Sequence, residues 1–353
     1  MKRFLAVCLS VVMVFCLFTG CATKGEKAPE GEKPAASEKA PEKKKVALLC
    51  DVAGTQVFVL SMINGLKDSA EKYGFEPIVT ECADAAAYED NARALVEEGV
   101  DLIIGGGWLS GEAINKIATE FPDAADYALI DSEVEAANVK CISYREQEGA
   151  YLVGKIAAYV TDENDKTFGS VHVNQGAGSW KWRYGYMEGV KSIKPDAKFI
   201  FNYTGNYNDP AKAKEFAIQQ YEQGCKFVNG AAAGGDKGVF EAAKEKGFYT
   251  SGQDVDLTTP DNPYIVTSQI KDTYATVSYL VEKYFTEGEW IVDNETWGLK
   301  EGTIGAVHVT HESKNPITDR LLADEIEALK QAAEDIKNGK LNLANMPNEE
   351  NYK

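Results

Sequence analysis

The chain has 353 residues, 55 of them acidic and 37 basic, for a formal net charge of −18. The leader (to Cys21) and the segment after it (to Lys45) are each net positive by two charges, so residues 46–353 carry −22. That balance excludes a nucleic-acid-binding protein, which needs a basic face, and roughly 300 folded residues suit two cores better than one.

Met1 to Gly20 reads as an export signal, with Lys2 and Arg3 followed by an apolar run from Phe4 to Phe18. That run is short for a membrane span and ends in the small residues of a cleavage site. Leu17-Phe18-Thr19-Gly20-Cys21 resembles the lipobox of bacterial lipoproteins, with Phe18 a departure from the usual aliphatic residue. Cys21 is therefore the expected lipidation site, and several acyl chains anchor a protein to a membrane far better than one. Residues 21–44 carry EKAPE twice (26–30 and 38–42) among Gly, Pro, Ser and charges. With no large apolar side chains to offset ordering entropy, this segment is expected to be a disordered tether.

From Lys45 the pattern alternates between apolar runs and helical periodicity. Strands are expected at 45–51, 75–82, 101–105, 126–131, 139–143, 167–173, 197–203, 226–230, 247–251, 263–268 and 303–309. Helices are expected at 56–73, 85–98, 110–120, 147–161, 179–193, 210–223, 236–246, 271–286 and 322–338. Such alternation implies parallel sheets with helices on both faces. Two of them, with a crevice between their strand ends, make a two-lobed α/β binding protein, and ligands of open α/β sheets collect at those ends.

Enzyme motifs are missing: there is no HExxH, GxSxG or GxxxxGK[ST] sequence and no clustered His/Asp/Glu set. Cys50, Cys82, Cys141 and Cys225 are isolated from one another and from the three histidines, so no zinc site is expected. His172 and His308 read as strand residues. No cofactor is implied.

The candidate site residues lie after strands. Asp51 and Phe58 flank the first βα loop, Trp108 follows Gly105-Gly106-Gly107, Trp180 and Trp182 follow the 167–173 strand, and Tyr207 follows the 197–203 strand. Rings at a cleft mouth stack on flat ligands, though any one of them serves equally as packing. Gly234 lies in the glycine-rich GAAAGGDKG (230–238), which fits either a backbone approaching a ligand or a tight turn. Asp254 ends FYTSGQD and Lys271 is read as opening the helix after IVTSQI. Across one crevice such a pair grips vicinal hydroxyls and neutralises itself on closure; a structural ion pair is the alternative.

The blocks DVAG…F…GL (51–66), DLIIGGGW (101–108), YREQEGAYLVGKIAA (144–158), YTGNYNDPAKAKEFA (203–217), GVFEAAKEKG (238–247), SGQDVD (251–256), IVTSQIKD (265–272) and GLKEGTIG (298–305) together resemble the basic membrane protein family. The resemblance implies a lipid-anchored purine nucleoside receptor of an ABC importer with a type I periplasmic-binding-protein fold. It implies one lobe at 45–144 plus 268–299, another at 145–267 plus 300–345, and three crossovers between them. It places the ribose pair on Asp254 and Lys271, the stacking ring on Phe58, and a family aspartate on Glu112. The base-reading positions depart: Val59 stands where the family has asparagine, and Asn229 where a second ring is expected. Trp108 or Trp182 is the candidate replacement.

The resulting expectation is a non-enzymatic receptor on the outer face of the cell membrane. It captures a ribose-bearing small molecule and docks on a permease with its ATPase. A sensor lipoprotein of the same fold and an extracytoplasmic nucleosidase are the competing classes; the second lacks a metal or nucleophile constellation.

Overall fold

The computed structural model describes residues 43–352. The leader, Cys21 and the tether as far as Glu42 lie outside the described residues. Those from Lys43 on form one compact unit.

The first half builds the first sheet: β1 (Lys45–Asp51), α1 (Val57–Tyr73), β2 (Glu76–Cys82), α2 (Ala85–Glu97), β3 (Leu102–Gly106), α3 (Gly111–Glu120), β4 (Asp126–Ile130) and β5 (Val139–Tyr144). The chain then crosses over. The second set is α4 (Glu146–Val160), β6 (Thr167–His172), α5 (Ala177–Lys191), β7 (Lys198–Tyr203), α6 (Pro210–Glu222), β8 (Phe227–Ala231), α7 (Asp236–Lys246), β9 (Tyr249–Asp254) and β10 (Ile265–Lys271). Next come α8 (Thr273–Thr286), β11 (Glu295–Trp297), β12 (Ile304–Ala306) and α9 (Ala323–Lys337).

The strand orders are β11-β5-β4-β3-β1-β2 and β12-β10-β9-β8-β6-β7. Position by position the two sheets match, so β4 and β9 hold the same place, as do β5 and β10. All neighbours run parallel except β12, which lies antiparallel to β10. Continuous burial of β3, β5 and the interior of β1 reflects helices on both faces of a parallel sheet. Local chemistry fixes the helix ends. Asp209 caps α6 through Lys212 N at 3.0 Å, with Pro210 in the first turn. Gly74 closes α1 in the left-handed conformation, φ 76°. Helices α4 and α5 approach at Gly154, where a Cβ would lie 2.2 Å from Tyr186 O.

Three details differ from the sequence reading. β10 stays in the second sheet as far as Lys271, so the chain crosses at Asp272 rather than at 268. Lys271 ends a strand, and Asp272 caps α8 through Ala275 N at 2.8 Å. The three-residue β11, paired with β5, carries no apolar run to announce it. β12 stops at Ala306, which leaves His308 beyond the strand with φ 70°.

Candidate functional site

Between the carboxyl ends of the two sheets lies a cleft of about 840 Å³. Sheet order explains which residues reach it. β4 and β9 occupy equivalent places, and each runs into an aspartate with positive φ, Asp131 at 67° and Asp254 at 69°. Aspartate is among the few residues that tolerate this conformation, and strain of this kind clusters at functional sites. Lys271, at the end of β10, stands between the lobes.

Lys271 Nζ lies 2.9 and 3.0 Å from the two carboxylate oxygens of Asp131 and 3.1 Å from Glu146 Oε1. Lys181 of α5 stands 3.1 Å from Glu146 Oε2 and donates to Tyr144 O at 2.7 Å. The charges therefore alternate, Asp131–Lys271–Glu146–Lys181, from the first sheet through two crossovers to the second lobe. Three rings face the same ammonium: Tyr144 at 5.3 Å, Phe58 at 5.4 Å and Trp182 at 5.7 Å.

Burial opposes the charge on Lys271, yet Asp131, Glu146 and Asp254 together raise its pKa above the ordinary lysine range. Burial pushes Asp131 up to about 6, against the pull of Lys271. It also raises Asp254, again against Lys271. Burial works against Glu146 as well, but the two lysines outweigh it and lower its pKa. His172, at the end of β6, is pushed down to about 3 by burial and by the Arg183 guanidinium, so its imidazole stays neutral.

Asp51, Phe58, Trp108, Trp182, Asp254 and Lys271 all line the cleft. Their partners differ in part from expectation. Lys271 bonds Asp131 and Glu146, while Asp254 takes its hydrogen bond from Gln253 Nε2 at 3.0 Å. Asp51 is held by its own loop, through Val52 N at 2.7 Å and Gln56 Nε2 at 2.9 Å. Trp182 is 8 % exposed, whereas Trp108, at the mouth, is 54 % exposed.

Three expected residues do not line it. Glu112 is exposed on the first turn of α3, which follows the 3-10 turn Trp108–Ser110. Asn229 lies inside the second sheet, where Ser251 Oγ donates to it and it donates to Ser170 Oγ at 3.0 Å. Gly234 sits behind the rim, packed against Asn208, Thr55 and Tyr207. Asp131, Glu146 and Lys181 were missed. An acidic residue directly after the apolar YALI strand was the available signal for Asp131, the same one that singled out Asp51.

A family model described as "ABC transporter substrate-binding protein PnrA-like" matches residues 43–340. Basic membrane protein A1 of Borrelia garinii subsp. bavariensis is 30% identical over 325 residues, covering 87% of this chain and 88% of its own. The ABC transporter nucleoside-binding protein BmpA of Lactococcus lactis subsp. cremoris is 27% identical over 357 residues, covering 97% and 99%. A solved ABC transporter solute-binding protein from Aeropyrum pernix K1 superposes with a TM-score of 0.76 at 24% identity, over 87% of this chain and 95% of that one. The family-model match over residues 43–340 and the 30% identity over 87% of the chain place it in the Bmp family of ABC transporter substrate-binding proteins.

Proposed function

We propose that the chain is a lipid-anchored, extracytoplasmic receptor that captures a nucleoside in its interlobe cleft and delivers it to an ABC permease and ATPase. One observation carries the ligand class: Asp254 and Lys271 face the same cavity as the rings of Phe58 and Trp182. Vicinal hydroxyls donate to a carboxylate and accept from an ammonium, and both bonds strengthen in a water-excluded site. A base then stacks on Phe58, with Trp182 replacing the ring that Asn229 does not supply.

Charge narrows the class further. Asp51, Asp131, Glu133, Glu146 and Asp254 line the cleft against Lys181 and Lys271, and Lys271 is already shared between two carboxylates. A phosphate would enter a net-negative cavity in which both lining lysines are already paired with carboxylates, so an unphosphorylated ligand fits and a nucleotide does not.

Thermal unfolding of residues 43–353 against purine and pyrimidine nucleosides, free bases, ribose and nucleoside monophosphates tests the reading. A ligand at about a hundredfold its dissociation constant adds roughly 2.7 kcal/mol. Purine nucleosides should raise the midpoint while bases, ribose and monophosphates do not. A shift with a base or another metabolite, and none with any nucleoside, refutes the ligand assignment.

A further inference from the structure

We propose that Trp108 and Tyr207 form a latch across the cleft mouth, which holds the lobes closed and sets how long a captured solute is retained. Trp108 follows β3 in the first sheet and Tyr207 follows β7 in the second. Its indole Nε1 donates to the Tyr207 hydroxyl at 2.7 Å. The bond joins side chains 99 residues apart, on opposite sides of the cavity they both line.

Both sides of the latch are preformed. Tyr207 sits on a loop braced by Thr204 Oγ1 on Asn206 O at 2.8 Å, Lys212 Nζ on Thr204 O at 2.7 Å and Asn208 N on Asn206 Oδ1 at 2.7 Å. Trp108 stands on a 3-10 turn tied by Ser110 Oγ on Gly107 O at 2.7 Å. A Cβ on Gly107 would lie 3.3 Å from the Phe58 ring, so the turn is packed directly against a ring that lines the cavity.

Gly234 explains how the mouth closes this tightly. A Cβ there would lie 2.3 Å from Asn208 Oδ1, 2.9 Å from Thr55 Oγ1 and 3.0 Å from Tyr207 O. Thr55 belongs to the first lobe and the other two to the second, so the missing side chain lets the β1–α1 loop seat against the base of the latch. This gives the glycine a role in closure rather than in ligand contact. The latch rests on capture of a solute in the cleft and not on the solute being a nucleoside.

The test uses residues 43–353, with inosine as the probe and Trp108→Phe, Tyr207→Phe, their double variant and Gly234→Val as perturbations. Phenylalanine keeps each ring and removes the bond. A net hydrogen bond corresponds to about a two- to tenfold change in a rate. Each single variant should release inosine faster by about that factor, with association little changed, and the double variant should release it no faster than the singles. Small-angle scattering of the ligand-free protein should give a larger radius of gyration for every variant, Gly234→Val above all, with each still unfolding cooperatively. Unchanged release, or single effects that multiply in the double variant, overturns the latch. If wild type does not bind inosine, the nucleoside reading falls, and the scattering decides the latch: unchanged radii in the three latch variants overturn it.

Discussion

Lys271→Met is the most informative single change, because the ammonium is the one cation shared by the Asp131 and Glu146 carboxylates. The residue is 5 % exposed, its Nζ lies 2.9–3.1 Å from three oxygens, and methionine fills a similar volume. Its removal leaves Asp131 and Asp254 without a countercharge, and leaves Glu146 with Lys181 alone. Removing one partner of a buried pair costs about 3–5 kcal/mol, since an uncompensated charge stays behind. The sign of the pH dependence follows from the carboxylates. Asp131 is already raised to about 6, above its unfolded value, so ionising it in the fold opposes stability at higher pH and that opposition fades as pH falls through 6. Without Lys271 its pKa rises further, and the orphaned carboxyls take up protons near neutrality. Urea unfolding should therefore show a loss of about 3–5 kcal/mol at pH 7.5 that shrinks visibly at pH 5.5. A loss under about 1 kcal/mol, or one equal at both pH values, refutes the claim that Lys271 holds buried charges in balance.

Three further outcomes follow from the same geometry. His172→Gln should flatten the acid limb of stability: wild-type His172, at about 3 in the fold, binds its proton in the unfolded chain first, so stability falls below pH 6.5 by about 2 kcal/mol at pH 5; equal pH profiles by chemical denaturation would contradict this. Phe58→Ala should weaken nucleoside binding by about 1–3 kcal/mol, the range for one stacked base, and titration calorimetry showing no change removes the ring from the site. Gly154→Ala places a methyl 2.2 Å from Tyr186 O and should cost about 1–3 kcal/mol by forcing α4 from α5; a midpoint within a degree of wild type would show that the helices yield easily.

Apart from β11, strand positions were legible because each contains a short apolar run bounded by Gly, Asp or a helical pattern, and β1 matches the expected range residue for residue. What stayed hidden depends on register. The apolar pattern puts Asn229 on the right strand, yet Ser170, Asn229 and Ser251 stand opposite one another across β6, β8 and β9. That row of polar side chains satisfies itself within the sheet, and no one-dimensional pattern reveals it. Glu112 differs in another way: it is exposed on the first turn of α3 and is not among the residues that line the cleft.

The charge cluster was hidden most deeply, for a topological reason. Asp131, Glu146, Asp254 and Lys271 span 140 residues, and they meet because β4 and β9 take equivalent places in two sheets that face each other. An aspartate with positive φ follows β4 and another ends β9, and a lysine that finishes β10 falls between them at the crossing. Sequence can offer Asp254 and Lys271 as a pair, but the fold inserts Asp131 and Glu146 as the lysine's own partners. Under the proposed nucleoside reading, a sugar hydroxyl arriving at Lys271 meets an ammonium whose charge is already balanced. Such a lysine can hold a neutral polyol without leaving a bare buried cation when the cleft is empty. A lysine paired with Asp254 alone would have its only counterion engaged by the ligand it is meant to grip.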